Sequence, residues 1–257
     1  MKPLINLKNV SFNYYTNDGE TSALKDINLE INQGDFISIV GPSGCGKTTL
    51  LSVISWLLKP TNGEIEYTSN TETTSQAPKN FFGYMFQRDQ LFNWRTVWQN
   101  VILGLEIQHL KTPENLEYVE NLLEKYGLGE FKNARPSELS GGMRQRAALI
   151  RTLALKPEVL LLDEPFSALD YQTRINVCND VADIIKRENK TAILVTHDIE
   201  EALSMANRIV ILTRRPGKIK EIVKLDHDEN STPLSRREKI EISKWQKLIW
   251  KEEECEK

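Results

Sequence analysis

A chain of 257 residues, 40% of them hydrophobic, is long enough for one large domain or two small ones around a substantial core. Its net charge of −3 removes any bulk electrostatic case for binding nucleic acid. No apolar run approaches the roughly 18–20 residues that span a bilayer, and the first six residues carry no signal-peptide apolar centre, so any role at a membrane is expected to come through a partner.

Strands are predicted over residues 4–10, 23–31 and 36–40, with turns at Asn17-Asp18-Gly19 and Asn32-Gln33-Gly34. The third strand runs into Gly41-Pro42-Ser43-Gly44-Cys45-Gly46-Lys47-Thr48, a Gly, four free positions, then Gly-Lys-Thr. A helix follows from Thr49. A chance glycine-rich turn would lack this strand on one side and helix on the other. In this pattern the glycines let backbone N–H groups point inward at anionic oxygens, and the helix start adds positive dipole potential. Lys47 can reach terminal phosphates and the Thr48 hydroxyl can bind the accompanying magnesium. The segment therefore predicts ATP or GTP binding.

The polar stretch 68–80 reads as a surface loop. From about 97 to 155 the pattern is helical. Residues 113–126 place Leu116, Val119, Leu122, Leu123 and Tyr126 at a helix period, residues 127–136 interrupt it, and a second helix runs from Ser140 towards Pro157. Three short apolar strands at 159–162, 192–195 and 209–212 alternate with helices at about 171–188 and 198–206, which implies a parallel sheet covered on both faces. Residues 89–157 then look like a helical insertion between two strands. The charged segment 234–257 spaces Ile242, Trp245 and Ile249 as a tail helix with one narrow docking face. Cys45, Cys178 and Cys255 share no metal-ligand spacing, and a reducing, cytosolic compartment is expected.

Two strand ends carry acids or a base. Residues 159–162 are wholly apolar and stop at Asp163-Glu164, and in parallel sheets ligands gather at carboxyl ends of strands. One carboxylate suits magnesium and a second can orient or deprotonate water. Residues 192–195 likewise stop at Thr196-His197, placing an imidazole where it can bond a γ-phosphate. Leu139-Ser140-Gly141-Gly142 opens a helix with Ser140 as a good N-cap. Each glycine costs roughly 1 kcal/mol against Ala in a helix interior. Close backbone approach to an anion would justify that cost; an ordinary capped start with an incidental Gly-Gly is the competing reading.

Taken together these motifs resemble the nucleotide-binding subunit of an ATP-binding cassette (ABC) transporter over about residues 4–225, most specifically through the signature Leu139-Ser140-Gly141-Gly142. The resemblance implies an α/β fold. Its P-loop NTPase core has a mainly parallel sheet, with an N-terminal antiparallel β subdomain, an inserted helical subdomain and, here, a C-terminal helical tail over 226–257. It implies ATP and Mg2+ as ligands, with the loop residues Gly41, Ser43, Gly44, Cys45, Gly46, Lys47, Thr48 and Thr49 on the phosphates and Tyr14 stacked on adenine, although Phe12 and Tyr15 compete for that register. Gln87 takes the place of the Q-loop glutamine on magnesium and the attacking water. Asp163 is expected beside magnesium with Thr48, Glu164 as catalytic base, residues 167–170 as D-loop and His197 as switch histidine.

Ser140, Gly141 and Gly142 are expected to complete the phosphate site of a second copy, so the resemblance implies a homodimer sandwiching two ATP molecules. The signature's usual fifth residue is Gln; here Met143 removes one polar contact. The aromatic stretch Arg88-Asp89-Gln90-Leu91-Phe92-Asn93-Trp94-Arg95 is expected either at the groove for permease coupling helices or as internal packing. Cys45, residues 91–97, the Met-bearing signature and residues 212–219 are most similar to importer ATPases for nitrate, sulfonates and taurine. Those partners imply a separate transmembrane permease, indirectly an extracytoplasmic solute-binding protein, and a peripheral place on the inner face of the cell membrane. An exporter ATPase, a non-transport ABC ATPase and an unrelated phosphate-loop kinase or GTPase are the alternatives.

Overall fold

The computed structural model describes residues 2–17, 19–69, 72–227, 231–237 and 245. They fall into two compact units, 1–79 with 189–257, and 80–188.

In the first unit, β1 (Ile5–Thr16) and β2 (Gly19–Ile31) form an antiparallel hairpin, with Leu7 opposite Leu29 and Tyr14 opposite Thr21. The central strand β3 (Phe36–Val40) leads through the glycine-rich loop into α1 (Lys47–Ile54). The chain returns as β4 (Asn62–Ser69), antiparallel to β1, with Ile65 and Tyr67 alternating into the core. The Tyr67 hydroxyl donates to the Ile54 carbonyl at 2.8 Å, fixing the end of α1 to this sheet. The stretch read as a surface loop in fact carries a short strand, β5 (Glu72–Thr74), paired with β4. It is exposed on every residue, so no apolar alternation marks it.

The second unit opens with β6 (Phe82–Met85) and passes through the short helices α2 (Val97–Val101) and α3 (Leu103–Ile107) to α4 (Pro113–Lys125) and α5 (Gly141–Leu153). Thr112 caps α4 by accepting from the Asn115 amide, and Pro113 supplies the fixed φ that suits a first helical position. Val119, Leu122 and Leu123 are its buried face, as their spacing predicts. Strand β7 (Val159–Asp163) pairs in parallel with β6, and α6 (Tyr171–Arg187) closes the unit.

Back in the first unit, β8 (Thr191–Val195) and β9 (Arg208–Leu212) flank β3 in parallel register, joined by α7 (Ile199–Met205). Then β10 (Ile219–Lys224) pairs antiparallel to β9 at the edge, and α8 (Pro233–Arg237) follows. Trp245 packs on an apolar cluster of Val40, Ile199, Ala202, Leu203, Ala206, Ile209 and Ile211. Its expected helical companions Ile242 and Ile249, like Cys255, lie outside the described residues. The α/β class, antiparallel N-terminal sheet and mainly parallel core are as the sequence implies. Among the described residues no helix is long and apolar enough to cross a membrane.

Candidate functional site

The phosphate loop sits at the carboxyl end of β3. Helix α1 begins without a side-chain cap: Gly46 holds the N-cap position in left-handed conformation (φ 104°), and no acidic residue occupies the first turn. Helices α2, α4, α5, α6 and α7 each have an N-cap side chain accepting from their first amides. The start of α1 thus keeps N–H groups and dipole potential for an outside anion. Lys47 is buried, and its Nζ donates to the carbonyls of Gly41 at 2.9 Å and Pro42 at 3.0 Å, which curls the loop around the ammonium. Ser43, Gly44 and Thr48 are exposed along the loop. Cys45 is buried; burial pushes its thiol pKa up against the opposing pull of Lys47.

Burial removes Phe12 from the competition among Phe12, Tyr14 and Tyr15 and leaves both tyrosines at the surface. Phe12 is 8% exposed and belongs to the core, while Tyr15 is 68% exposed. Tyr14 stands edge-on against Phe12, with ring centroids 4.9 Å apart, and its hydroxyl lies 3.1 Å from Thr49 Oγ1. The half-exposed Tyr14 ring is therefore fixed beside α1. On the other flank, Ile39 of β3 pairs with Val195 of β8, so the phosphate loop and His197 leave the same edge of the sheet. His197 is exposed on a tightly built turn. The buried Thr196 hydroxyl donates to Glu201 Oε2 at 2.7 Å and accepts from the Asp198 amide at 3.0 Å, and Asp198 caps α7.

In the second unit Met85 pairs with Leu162, so Gln87 and the acids Asp163-Glu164 also emerge at one strand edge. The Tyr84 hydroxyl donates to Asp163 Oδ2 at 3.3 Å. Gln87 Nε2 donates to Ser167 Oγ at 3.1 Å, and Ser167 Oγ donates to the Glu164 carbonyl at 3.0 Å. Glu164 itself has φ 46°, a left-handed conformation that non-glycine residues seldom adopt. Gln87, Ser167 and Glu164 thus form one hydrogen-bonded chain around that turn.

At α5, Ser140 Oγ accepts from the Met143 amide at 3.3 Å. A Cβ on Gly142 would stand 2.9 Å from Val177 Cγ2 of α6, and one on Gly141 would stand 3.0 Å from Leu169 Cδ2. Packing against α6 therefore accounts for Gly142 independently of any ligand. Ser140, Gly141, Arg144, Ala168, Asp170 and Asn176 line an open polar cleft at this helix start.

Two residues that sequence reasoning missed organise the loop after Gln87. Asn100 is fully buried; it accepts from the Phe92 amide and donates to the carbonyls of Phe92, Arg95 and Thr96. Arg151 donates to the carbonyls of Asp89 and Gln90 at 2.7 and 2.6 Å. A lone Asn on the apolar side of a helix was the available signal for the first. Trp94 is 72% exposed and stacks on Phe92 at 4.7 Å, so internal packing does not account for it.

This arrangement can hold a nucleoside triphosphate. The uncapped loop offers amides and an ammonium to phosphates, and a half-exposed ring stands beside it. Magnesium also fits the donor set. In the first unit Thr48 offers a hydroxyl, and in the second Gln87 and Asp163 offer an amide and one carboxylate, donor types that suit an ion that keeps waters and phosphate oxygens.

Residues 24–167 match the ABC transporter family. The nitrate import ATP-binding protein NrtD of Synechocystis is 43% identical over 224 residues, covering 86% of this chain and 83% of NrtD. The taurine import ATP-binding protein TauB of Jannaschia is 39% identical over 233 residues, covering 90% and 86%. A dimeric post-hydrolysis structure of the ATP-binding cassette MJ0796 bound to ADP and Pi superposes with a TM-score of 0.70 at 33% identity, covering 87% of this chain and all of that one. The chain belongs to the ABC transporter family and is an ATPase of that class.

Proposed function

We propose that this ATPase powers import of a small solute of the nitrate, sulfonate or taurine type through a separate permease, working as a homodimer. The observation that carries the ATP site is the uncapped start of α1 beneath a curled, lysine-centred loop. The importer assignment draws on the nitrate and taurine import relatives.

In this reading the loop amides and Lys47 bind the β- and γ-phosphates, and Tyr14 stacks on adenine. Glu164 takes a proton from the attacking water, which Gln87 and His197 orient. Thr48, Asp163 and Gln87 would hold magnesium, which when bound would neutralise charge on the phosphate oxygens. Ser140 and the amides of Gly141 and Gly142 close over the γ-phosphate of the partner copy, so ATP favours the closed pair through its differential affinity for it. The ATPase domain then spans 1–225, with the helical insertion about 89–157 presenting Trp94 to the permease and 226–257 as an accessory tail. The assembly sits on the inner face of the membrane and receives solute from an extracytoplasmic binding protein.

The test is ATP hydrolysis by the complex reconstituted with its permease and binding protein, screened over nitrate, sulfonates including taurine, and pyrimidine vitamin precursors. Hydrolysis should rise several-fold with nitrate or a sulfonate. Stimulation by none of them, or by the vitamin precursors alone, contradicts the solute class.

A further inference from the structure

The segment after β9, Thr213-Arg214-Arg215-Pro216-Gly217-Lys218, closes on itself. The Thr213 amide donates to the Lys218 carbonyl at 2.9 Å, and the Lys218 amide to Thr213 Oγ1 at 3.0 Å. Its one buried residue, Gly217, is clamped to β2: the Gly217 amide donates to the Ala23 carbonyl at 2.9 Å, and the Lys25 amide donates to the Gly217 carbonyl at 3.0 Å.

Gly217 does not have the positive φ that would by itself demand glycine. What excludes a side chain is the phosphate loop. A Cβ at Gly217 would overlap the Cys45 carbonyl oxygen, far inside the 3.0 Å that real Cβ atoms respect, and would sit 3.4 Å from the Cys45 carbonyl carbon and 3.5 Å from the Ala23 oxygen. The loop meets the same support at two further points. A Cβ on Gly46 would stand 3.0 Å from the Ala23 oxygen, and one on Gly41 would stand 2.9 Å from the Leu212 oxygen. The loop thus rests, backbone on backbone, on a floor made by the end of β9, the 213–218 turn and residues 23–24.

We propose that the 213–218 turn is a buttress for the phosphate loop and that Gly217 is its positioning residue. Gly217 sets the height of the Cys45 peptide, and through it the aim of the amides at the start of α1. The turn touches no substrate; it acts through the loop. A methyl at 217 must lift the Cys45 carbonyl or push the turn away by roughly an ångström, enough to take the loop amides out of hydrogen-bond geometry with a bound phosphate.

The inference rests on the ATPase reading above, and the experiment separates the two. The full chain is compared as wild type, Gly217→Ala and Lys218→Ala, the last altering an exposed side chain of the same turn. Fluorescent ATP binding, KM for ATP, kcat and melting temperature with and without ATP are measured. Gly217→Ala should weaken ATP binding and raise KM at least tenfold, about 1.4 kcal/mol, and lose most of the thermal shift that ATP gives, with kcat at saturating ATP within about threefold of wild type. Lys218→Ala should match wild type. If Gly217→Ala does not fold, Thr213→Val, which removes the hydroxyl closing the turn, should raise KM with little change in the nucleotide-free melting temperature. A folded Gly217→Ala protein that binds ATP like wild type overturns the buttress, as does a variant that loses nucleotide-free stability while its ATP affinity is kept. A wild type that binds no ATP overturns the ATPase reading instead.

Discussion

Tyr14 shows how one side chain acquires its place. Neighbouring aromatics at positions 12, 14 and 15 are indistinguishable by type. Burial sends Phe12 inward and leaves Tyr15 in solvent, and a hydroxyl contact to Thr49 holds Tyr14 next to α1. Stacking of a base on an aromatic ring is worth about 1–3 kcal/mol. Tyr14→Ala should therefore weaken ATP binding by roughly tenfold or more, whereas Tyr14→Phe, which keeps the ring, should lose far less; equal losses would assign the effect to the Thr49 contact. Glu164 is a second case. Its sequence neighbours mark it as the acid after an apolar strand, but its left-handed φ and its link through Ser167 to Gln87 come from the folded turn alone. A non-glycine residue in that region costs about 1–2 kcal/mol, and strain of this kind collects at functional turns.

Elements with their own apolar signal were legible in advance. The run 159–162, the period over 113–126 and the strand-to-helix step at residues 36–54 each carry a pattern that burial then satisfies. Four strands escaped detection: β10 is largely exposed at an edge, β5 is exposed throughout, β6 is four residues long with one glycine, and β4 buries only Ile65 and Tyr67 in an otherwise polar stretch. The positions of the candidate site residues were legible for the same reason, since they lie at strand ends and helix starts. What stayed hidden were bonds crossing between elements, such as Tyr84 to Asp163 and Asn100 to the 92–96 loop. The signature glycines show the limit well. Sequence offered anion approach or incident, and the fold adds a third cause, the contact of α5 with α6 at Val177. Gly142→Ala should lower stability by about 1–3 kcal/mol through overpacking, and Val177→Ala in the same chain should recover much of it. Destabilisation that Val177→Ala leaves unrelieved would place the clash elsewhere.

For the whole molecule, the described residues divide into one unit holding the phosphate loop, Tyr14 and His197, and another holding Gln87, Asp163, Glu164 and the signature helix. Each presents its groups at one strand edge or helix start, and the proposed mechanism draws on both sets. A partner copy is the proposed source of the serine-capped helix over each nucleotide, by the isologous logic of a two-fold pair. The measurement that bears most directly on this is light scattering of the Glu164→Gln chain during size exclusion, with and without ATP. The account predicts a monomer without nucleotide or with ADP and a stable dimer with ATP and Mg2+, abolished by Ser140→Arg. A Glu164→Gln chain that binds ATP to saturation and remains monomeric would contradict it.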